Sequence, residues 1–395
     1  MKITIVGGGF GGVKAALELA EDDRNTITLI SDKTEFQYYP ALYGAATGHN
    51  HLESWVPLEK IFSGKSNVML VQDTIVTIDA EAKELGAASG QNYSYETCIL
   101  ALGAVTTYFG IEGLDTYAYG IKSSEEIEKL KAHLYEEITG NSSEESKRYV
   151  VIGAGSTGVE LSSALGSYIK KIYDHYGMNS QGVCIDLLEA APRILPKMTE
   201  KASRLATKRL KKLGVNVQTG QAVEQATADS IIVGGKPLTT HTVIWTSGVT
   251  NHSFFKENKL FTLAKNGRVQ VDEYLRASQD VYVIGDNADT PFTGLAQTAL
   301  HDAIFVAGNL KRHAHGKPMK KYKAVKPPVV VPIGENWAIF EWHGFCMGGW
   351  IASILRRAAD FIGYSDMLPL GQALGVWHAS LISHDDNIMP EPPKK

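Results

Sequence analysis

The stretch Ile3-Thr-Ile-Val-Gly7-Gly-Gly9-Phe-Gly-Gly12 decides the fold, and a second stretch, Val150-Val-Ile-Gly153-Ala-Gly155-Ser-Thr-Gly158, repeats its pattern. In each, a β-branched run leads through three spaced glycines into a helix, which is the context that a dinucleotide-binding loop requires. The glycines permit a tight turn and let the backbone approach a pyrophosphate at the positive end of the helix. Two such loops predict two bound dinucleotides.

A third signature, Val281-Tyr-Val-Ile-Gly285-Asp286, follows both loops and assigns the first of them to a flavin. A carboxylate at the end of that strand can hold a ribityl hydroxyl. The N-terminus of a helix predicted over 295–310 would stabilise negative charge on the reduced ring. Gly7, Gly9, Gly12 and Asp286 therefore predict bound FAD, and Gly153, Gly155 and Gly158 predict NADH.

Acidic residues are expected at the end of the second strand of each unit, where they hold ribose hydroxyls. Asp32 lies 20 residues after Gly12, but Ser31 directly follows the apolar run, so either residue can face the ribose. In the second unit Glu189 lies 31 residues after Gly158. A carboxylate there repels the 2′-phosphate of NADPH and favours NADH, although the nearby Arg193 weakens this preference.

Composition narrows the class of protein. The net charge is −4 and the isoelectric point is about 6.3, so no basic excess suggests nucleic acid as a partner. The three cysteines form no disulfide framework and no CxxC pair, which suits a reducing compartment. No signal stretch and no run long enough to span a membrane is apparent. No metal site is predicted from the two HxH pairs, His49/His51 and His313/His315.

The predicted fold class is α/β, with two Rossmann-like dinucleotide-binding domains and an amphipathic C-terminal membrane-association tail. Because the flavin signature returns after the second loop, the flavin domain is predicted to be discontinuous. The predicted parts are residues 1–112 and 253–325 for FAD, 113–252 for NADH and 326–395 for the C-terminal region. Residues 141–147 are predicted to form a surface linker.

At this point the chain resembles the type II NADH dehydrogenases, which are single-chain NADH:quinone oxidoreductases. The motifs that carry the resemblance are Gly153-Ala-Gly-Ser-Thr-Gly-Val-Glu160-Leu, Glu189-Ala-Ala-Pro-Arg-Ile-Leu-Pro196, Trp245-Thr-Ser-Gly248-Val249, Ala101-Leu-Gly103-Ala-Val-Thr, Phe36-Gln-Tyr-Tyr-Pro40-Ala-Leu-Tyr and Gly285-Asp286. They cover residues 1 to about 320 well. The resemblance implies that Pro40, Gly103, Gly248 and Ala296 also border the cofactors.

The resemblance further implies that Glu160 borders the nicotinamide and quinone sites and takes part in proton uptake. An alternative is an early-helix glutamate favoured only by the helix dipole. The family's quinone-side segment Ala-Gln-x-Ala-x-Gln reads Ala296-Gln297-Thr-Ala-Leu-His301 here. Gln297 keeps the pattern, whereas His301 replaces the second glutamine. That histidine could bind a quinone carbonyl or relay a proton, or it could simply face solvent.

The tail pattern predicts an amphipathic helix. Apolar residues recur at helical spacing from Trp350 to Ile362, and Ser353, Arg356, Arg357 and Asp360 fall on the other face. Such a helix suits the bilayer interface, with the arginines near anionic headgroups. Packing against the domain core or a second subunit is the alternative. The resemblance favours the membrane.

The sequence thus predicts an FAD-dependent NADH:quinone oxidoreductase that passes a hydride from NADH to flavin N5 and two electrons to a membrane quinone, without proton pumping. The predicted partners are a membrane quinone, the bilayer surface and a second copy in a homodimer, at the cytoplasmic face of the cell membrane. Two rivals remain. One is a sulfide:quinone or other quinone-reducing flavoprotein, and the other is a flavin-binding, redox-switched interaction protein.

Overall fold

A computed structural model describes residues 1–140 and 147–379. The predicted linker at 141–147, except its last residue, and the last part of the predicted tail, 380–395, lie outside the described residues.

The first glycine loop opens a unit of alternating strands and helices. Its helices are α1 (Phe10–Leu19), α2 (Leu42–Ala45) and α3 (Leu58–Ile61). Its strands are β1 (Lys2–Val6), β2 (Thr26–Ser31), β3 (Glu35–Gln37), β4 (Trp55–Pro57), β5 (Val68–Gln72), β6 (Ile75–Asp79), β7 (Glu84–Ala87), β8 (Asn92–Ser94), β9 (Thr97–Leu100) and β10 (Ala104–Thr106).

The second loop lies in a unit of the same design. Its helices are α4 (Leu114–Tyr117), α5 (Ser124–Gly140), α6 (Ser156–His175) and α7 (Glu200–Lys212). Its strands are β11 (Ala118–Tyr119), β12 (Arg148–Ile152), β13 (Cys184–Glu189), β14 (Val215–Thr219), β15 (Val223–Ala226), β16 (Ser230–Val233), β17 (Lys236–Thr239), β18 (Thr242–Trp245) and β19 (Val249–Asn251).

The remaining elements complete the first unit and form the tail. They are α8 (Phe254–Glu257), β20 (Arg276–Ser278), β21 (Val281–Val283), α9 (Ala296–Ala314), β22 (Val329–Pro332), β23 (Ala338–Trp342), β24 (Phe345–Gly349), α10 (Trp350–Ser365) and α11 (Leu370–Ala379).

Two sheets carry the two glycine loops. The first has the order β20-β21-β9-β1-β2-β5, and only β20 runs antiparallel to its neighbour. The second has the order β11-β18-β12-β13-β14, with all pairs parallel. In both sheets, the strands that follow the glycine loop in sequence pair on one side of the loop-bearing strand, and a later strand pairs on its other side. Each loop therefore lies at a topological switch point, where open α/β sheets bind ligands.

Strand β21, which carries the flavin signature, pairs with β9 in register Val283↔Leu100. The chain therefore comes back to the first sheet after building the second. A short ribbon of β10 and β19 joins the two units, and the indole Nε1 of Trp245 donates to the Thr107 carbonyl at 3.1 Å. The mixed α/β class predicted from the sequence is confirmed. The domain limits at 112, 252 and 325 stay predictions.

The tail is a three-stranded antiparallel sheet, β22-β23-β24, followed by two helices. One face of this sheet buries Val331, Ile339 and Cys346 against the core of the second unit. Helix α10 packs against the same three strands, and Tyr364, Met367 and Leu368 join the core of the first unit. The tail thus bridges both units. No helix in the two described ranges is long and apolar enough to cross a bilayer.

Candidate functional site

The first glycine loop combines tight packing with one open position. Gly7 has φ +115°, and a Cβ there would lie 2.2 Å from the Ala101 carbonyl oxygen. A Cβ on Gly12 would lie 1.9 Å from the Gly7 oxygen. Gly9 differs, because a Cβ there would meet no atom within 4 Å, and no side chain caps the helix that it begins. The open, uncapped N-terminus of α1 fits a pyrophosphate.

The second loop repeats this arrangement. A Cβ on Gly153 would lie 2.1 Å from Ser247 Oγ, and one on Gly158 would lie 1.8 Å from the Gly153 oxygen. Gly155 again faces open space and begins α6 without a side-chain cap. Both loops therefore have the geometry that a dinucleotide needs, which is the fit expected if FAD and NADH are bound.

Asp286, whose carboxylate is predicted to hold the ribityl chain of the flavin, lies in a turn that hydrogen bonds fix in place. Asp286 follows β21, and burial raises its pKa, while Arg268 and Lys197 oppose the shift. The fully buried Asn287 donates to the Gly103 carbonyl at 2.7 Å and accepts from the Gly103 amide at 2.9 Å. These two hydrogen bonds hold the Gly103 loop against the Asp286 turn. Asn287 was not predicted from the sequence, which offers no signal for it.

In the first unit, Ser31 ends β2 and is buried, whereas Asp32 is exposed. Ser31 Oγ accepts from the Lys33 amide at 3.1 Å. Burial raises the pKa of Tyr39, and the charges of Asp286 and Asp32 raise it further. Tyr39 thus lies within electrostatic reach of both carboxylates.

Helix α9 begins at Ala296 without a side-chain cap, and Gln297 is exposed in its first turn. His301 lies one turn further on. Its Nε2 is 3.0 Å from the Lys323 carbonyl, an acceptor, so this nitrogen carries the proton. Its ring also lies 5.6 Å from that of Tyr322. His301 is therefore engaged with the segment that follows α9.

Glu189 ends β13 and contacts its own glycine loop. Its Oε2 accepts from the Ala154 amide at 2.7 Å and its Oε1 from the Ala191 amide at 2.8 Å. These bonds fix the carboxylate at the mouth of the second loop and leave further lone pairs for hydroxyl donors. Gly248, with φ +69°, packs closely on the segment after β10, since a Cβ there would be 2.5 Å from the Thr107 oxygen.

Glu160 lies in the first turn and a half of α6 and is buried. Arg356 of α10 places Nη1 3.4 Å from Glu160 Oε1, Nε 2.8 Å from Asp360 Oδ2, and Nη2 2.7 Å from the Pro40 carbonyl. Burial raises the pKa of Glu160 to about 7, because desolvation outweighs the opposing Arg356 charge. The carboxyl can therefore gain or lose a proton near neutral pH.

The tail helix corrects one prediction. Arg356 and Asp360 on the polar face of α10 turn toward the protein, whereas most large side chains on its apolar face are exposed. Arg356 is bound among Glu160, Asp360 and Pro40, so its predicted place beside lipid headgroups is wrong. Arg357 is exposed and donates to Asn336 Oδ1 at 2.9 Å. The exposed apolar side chains of this region are Trp342, Phe345, Trp350, Ile351, Ile354, Leu355, Ile362, Leu370 and Leu374.

The cysteines and the histidine pairs do not form a reactive thiol site or a metal site in the described residues. Cys98 and Cys346 are buried and Cys184 is partly buried, and burial raises the pKa of all three thiols. Among the residues that the structure describes, no group of three or more histidine, cysteine or acidic side chains is arranged to hold a metal ion.

Comparison with known proteins places the chain in a family. A family model described as pyridine nucleotide-disulphide oxidoreductase matches residues 1–309, and the chain belongs to that family. Curated relatives described as type II NADH:quinone oxidoreductase include one from Staphylococcus epidermidis, 28% identical over 382 residues, and one from Staphylococcus aureus, 27% identical. Each alignment covers 91% of this chain and 94% of the relative. The resemblance found in the sequence is thereby confirmed.

Solved structures share the fold. NDH2 from Plasmodium falciparum in complex with NADH superposes with a TM-score of 0.86 at 20% identity, covering 96% of this chain and 97% of that one. The sulfide:quinone oxidoreductase from Aquifex aeolicus gives a TM-score of 0.77 at 18% identity, covering 96% and 92%. At these identities the likeness concerns the fold alone.

Proposed function

We propose that this protein is an FAD-dependent NADH:quinone oxidoreductase. The observation that carries the proposal is the pair of open, uncapped helix N-termini at Gly9 and Gly155, each at the switch point of its own sheet. The chemistry that FAD supplies when bound is the acceptance of a hydride from NADH and the delivery of two electrons to a quinone. Full-length relatives described as NADH:quinone oxidoreductases support this assignment.

We assign FAD to residues 1–112 and 253–325. Gly7, Gly9 and Gly12 would bind its pyrophosphate and Asp32, next to Ser31, its ribose. Asp286, beside the clamped Gly103 loop, would hold the ribityl chain, and the uncapped α9 N-terminus at Ala296 would face the ring.

We assign NADH to residues 113–252. Gly153, Gly155 and Gly158 would bind its pyrophosphate, and Gly248 would border the nicotinamide. Glu189 is held by two backbone amides and would accept hydrogen bonds from the adenosine ribose. Its negative charge would repel a 2′-phosphate and so favour NADH over NADPH.

Glu160 would hold the proton that quinone reduction consumes. Its carboxyl has a pKa of about 7, and Arg356 fixes it next to the Pro40 backbone. Catalytic acids work best when their pKa lies near the operating pH. Gln297, exposed at the start of α9, would contact the quinone, and His301 would border it on the side of Lys323.

The outward apolar face of α10 and the β23–β24 hairpin would rest on a lipid bilayer. Trp350 is 66% exposed, Phe345 60% and Ile362 60%, which is unusual for such side chains. The basic segment 311–326 ends three residues before β22, whose Val329 pairs with Glu341, next to Trp342. The end of this segment therefore leads toward the exposed aromatic hairpin, and each lysine near an anionic surface contributes about 1 kcal/mol.

Residues 326–395 would thus form the membrane-association region, at the cytoplasmic face of the cell membrane. A homodimer using part of this tail is compatible with the same arrangement. Liposome flotation tests the membrane contact. Replacing Trp350, Ile354 and Ile362 by serine should abolish flotation with anionic vesicles, whereas a soluble, dimeric wild type that never floats would assign the surface to subunit contact.

The sulfide:quinone alternative is disfavoured by the buried, unreactive cysteines, because sulfide oxidation of that kind uses a redox cysteine pair. The alternative of a redox-switched interaction protein predicts NADH binding with negligible turnover. Steady-state turnover with NADH and menaquinone or ubiquinone analogues separates these functions, since only the proposed enzyme oxidises NADH and reduces the quinone in the same rapid turnover.

A further inference from the structure

Helix α9 buries two polar side chains, Asp302 and Asn309. Asp302 is 0% exposed and Asn309 is 2% exposed. Their positions in the sequence differ by about two helical turns, so they lie on the same face of the helix. Polar groups buried this deeply cost free energy unless they form hydrogen bonds, so their partners indicate what they do.

Asp302 uses both oxygens of its carboxylate. Its Oδ2 accepts from the Gly285 amide at 3.0 Å, and its Oδ1 accepts from the Tyr322 hydroxyl at 2.6 Å. Burial raises the pKa of Asp302, and these two hydrogen bonds act in the opposite direction. The carboxylate therefore joins two segments that lie on either side of α9 in the sequence. One is the turn that carries Asp286, and the other is the chain that follows the helix.

Gly285 is held on both sides of its backbone. Asp302 binds its amide, and its carbonyl accepts from Thr293 Oγ1 at 2.8 Å. Its φ of +66° lies in the region that glycine favours, and a Cβ there would lie 3.2 Å from the Ala299 Cβ. The turn therefore packs directly on α9, and these contacts set the position of Asp286 relative to the start of the helix.

Tyr322 belongs to residues 317–326, which we call the α9 strap and which form neither helix nor strand. Asn309 binds the strap through its whole side-chain amide, because its Nδ2 donates to the Lys320 carbonyl at 2.9 Å and its Oδ1 accepts from the Lys320 amide at 2.9 Å. The Tyr322 amide donates to the Glu273 carbonyl at 2.7 Å. These backbone contacts fix the strap next to the Tyr322 hydroxyl, so that hydroxyl keeps its place in the protein interior.

We propose that Asp302 is a positioning residue for FAD, which fixes the Gly285–Asp286 turn to α9, and that Tyr322 of the α9 strap holds the Asp302 carboxylate in place. The inference rests on the proposed function, in which Asp286 holds the ribityl chain and the N-terminus of α9 faces the ring. Both groups meet one cofactor, so their spacing must match it. Groups that are fixed before binding lose less freedom on binding, which strengthens affinity. In this role Asp302 acts through Gly285.

The test compares four variants of the FAD-loaded, full-length protein. Asp302→Ala removes the acceptor of the buried Gly285 amide, whereas Asp302→Asn keeps an oxygen that can accept from it. Tyr322→Phe removes only the hydroxyl that binds Asp302. Glu273→Gln is the matched control, because its exposed carboxylate pairs with Lys321 of the strap at 3.2 Å and its backbone contact to Tyr322 is unchanged.

The first measurement is the Kd for FAD, from the fluorescence of flavin released on dilution. Asp302→Ala should raise this Kd about tenfold or more, because a buried amide loses its partner and the turn loses its attachment to α9. Asp302→Asn should stay within about threefold of the wild type, and Tyr322→Phe should fall between these two variants. Glu273→Gln should leave the Kd unchanged.

Two further readouts separate positioning from a merely structural role. The visible circular dichroism of bound flavin depends on how the protein holds the ring, so it should change in Asp302→Ala and Tyr322→Phe but not in Glu273→Gln. Hydrogen exchange of the full-length protein, followed by mass spectrometry, should become faster in the peptide 281–290 of Asp302→Ala and remain slow in Asp302→Asn. Neither readout needs NADH or quinone, so a protein without turnover contradicts the proposed function while these measurements still decide the role of Asp302.

Three outcomes would overturn the inference. An unchanged Kd for FAD in Asp302→Ala would show that the turn keeps its position without the carboxylate. Binding as weak in Asp302→Asn as in Asp302→Ala would assign the effect to charge instead of position. Faster exchange throughout the chain with unchanged flavin dichroism would make Asp302 a structural residue only. If Asp302→Ala does not fold, Tyr322→Phe decides, and an unchanged Kd and dichroism in that variant would overturn the inference.

Discussion

Arg356 Nη1 on the C-terminal helix α10 lies 3.4 Å from Oε1 of Glu160 on the helix that begins at the second glycine loop. The pair joins the tail to the centre of the molecule across 196 residues of sequence. The tail therefore does more than present an apolar surface, because it also supplies the cation beside a buried acid.

The pH dependence of quinone turnover should follow Glu160. Its pKa is raised to about 7, so the carboxyl holds its proton below that pH and loses it above. We expect kcat with quinone to fall as pH rises above about 7. Glu160→Gln should remove this pH dependence and lower kcat about 10²-fold, while ferricyanide turnover is retained. An unchanged pH profile in Glu160→Gln would assign the titration to another group.

Replacing Arg356 should act on both stability and pH dependence. Arg356→Met leaves the buried Glu160 and the partly buried Asp360 without their cation, so we expect a loss of about 3–5 kcal/mol in the free energy of unfolding. Arg356 lowers the pKa of Glu160, so its removal should move the fall in quinone turnover to higher pH. Arg357→Met, at an exposed site, is the control for both measurements. Equal thermal stability of the two variants would contradict the pairing.

The glycines of the two loops should respond differently to replacement by alanine. Gly9→Ala puts its methyl group into open space, so the protein should fold but bind FAD poorly. Gly155→Ala should fold with its FAD and weaken NADH binding alone. Gly12→Ala should fail to fold, because its methyl group would lie 1.9 Å from the Gly7 oxygen. FAD content and NADH titration measure these effects, and a Gly9→Ala protein with full FAD would argue against the first loop as its site.

Nucleotide choice should depend on the charge of Glu189. Glu189→Gln keeps the shape of the side chain and removes its repulsion of a 2′-phosphate, so kcat/KM for NADPH should rise relative to NADH. Glu189→Ala should show the same change with weaker binding of both nucleotides, because the Ala154 and Ala191 amides lose their acceptor. A wild-type enzyme that uses NADH and NADPH equally would contradict this role of Glu189.

Much of the fold was predictable because its signals are local. The glycine loops follow from short patterns of β-branched and small residues, and the structure places each loop between a strand and a helix, as predicted. The helix predicted over 295–310 begins at Ala296 and continues to Ala314 in the structure.

The contacts between distant segments could not be predicted. The Asn287 clamp on Gly103 spans 184 residues, and the Glu160–Arg356 pair spans 196. Amphipathic periodicity identified the two faces of α10 but not which one faces the protein. A polar face ordinarily lies toward solvent, and here the buried Glu160 and the partly buried Asp360 reverse that rule for Arg356.

The most direct test of the central claim is an anaerobic reduction experiment on the purified protein. The FAD-loaded enzyme is mixed with one equivalent of NADH while flavin absorbance is followed, and a menaquinone or ubiquinone analogue is then added. We predict rapid bleaching by NADH and prompt return of the absorbance with the quinone. Colourless protein that takes up no FAD, or a flavin that NADH does not bleach, would contradict the account.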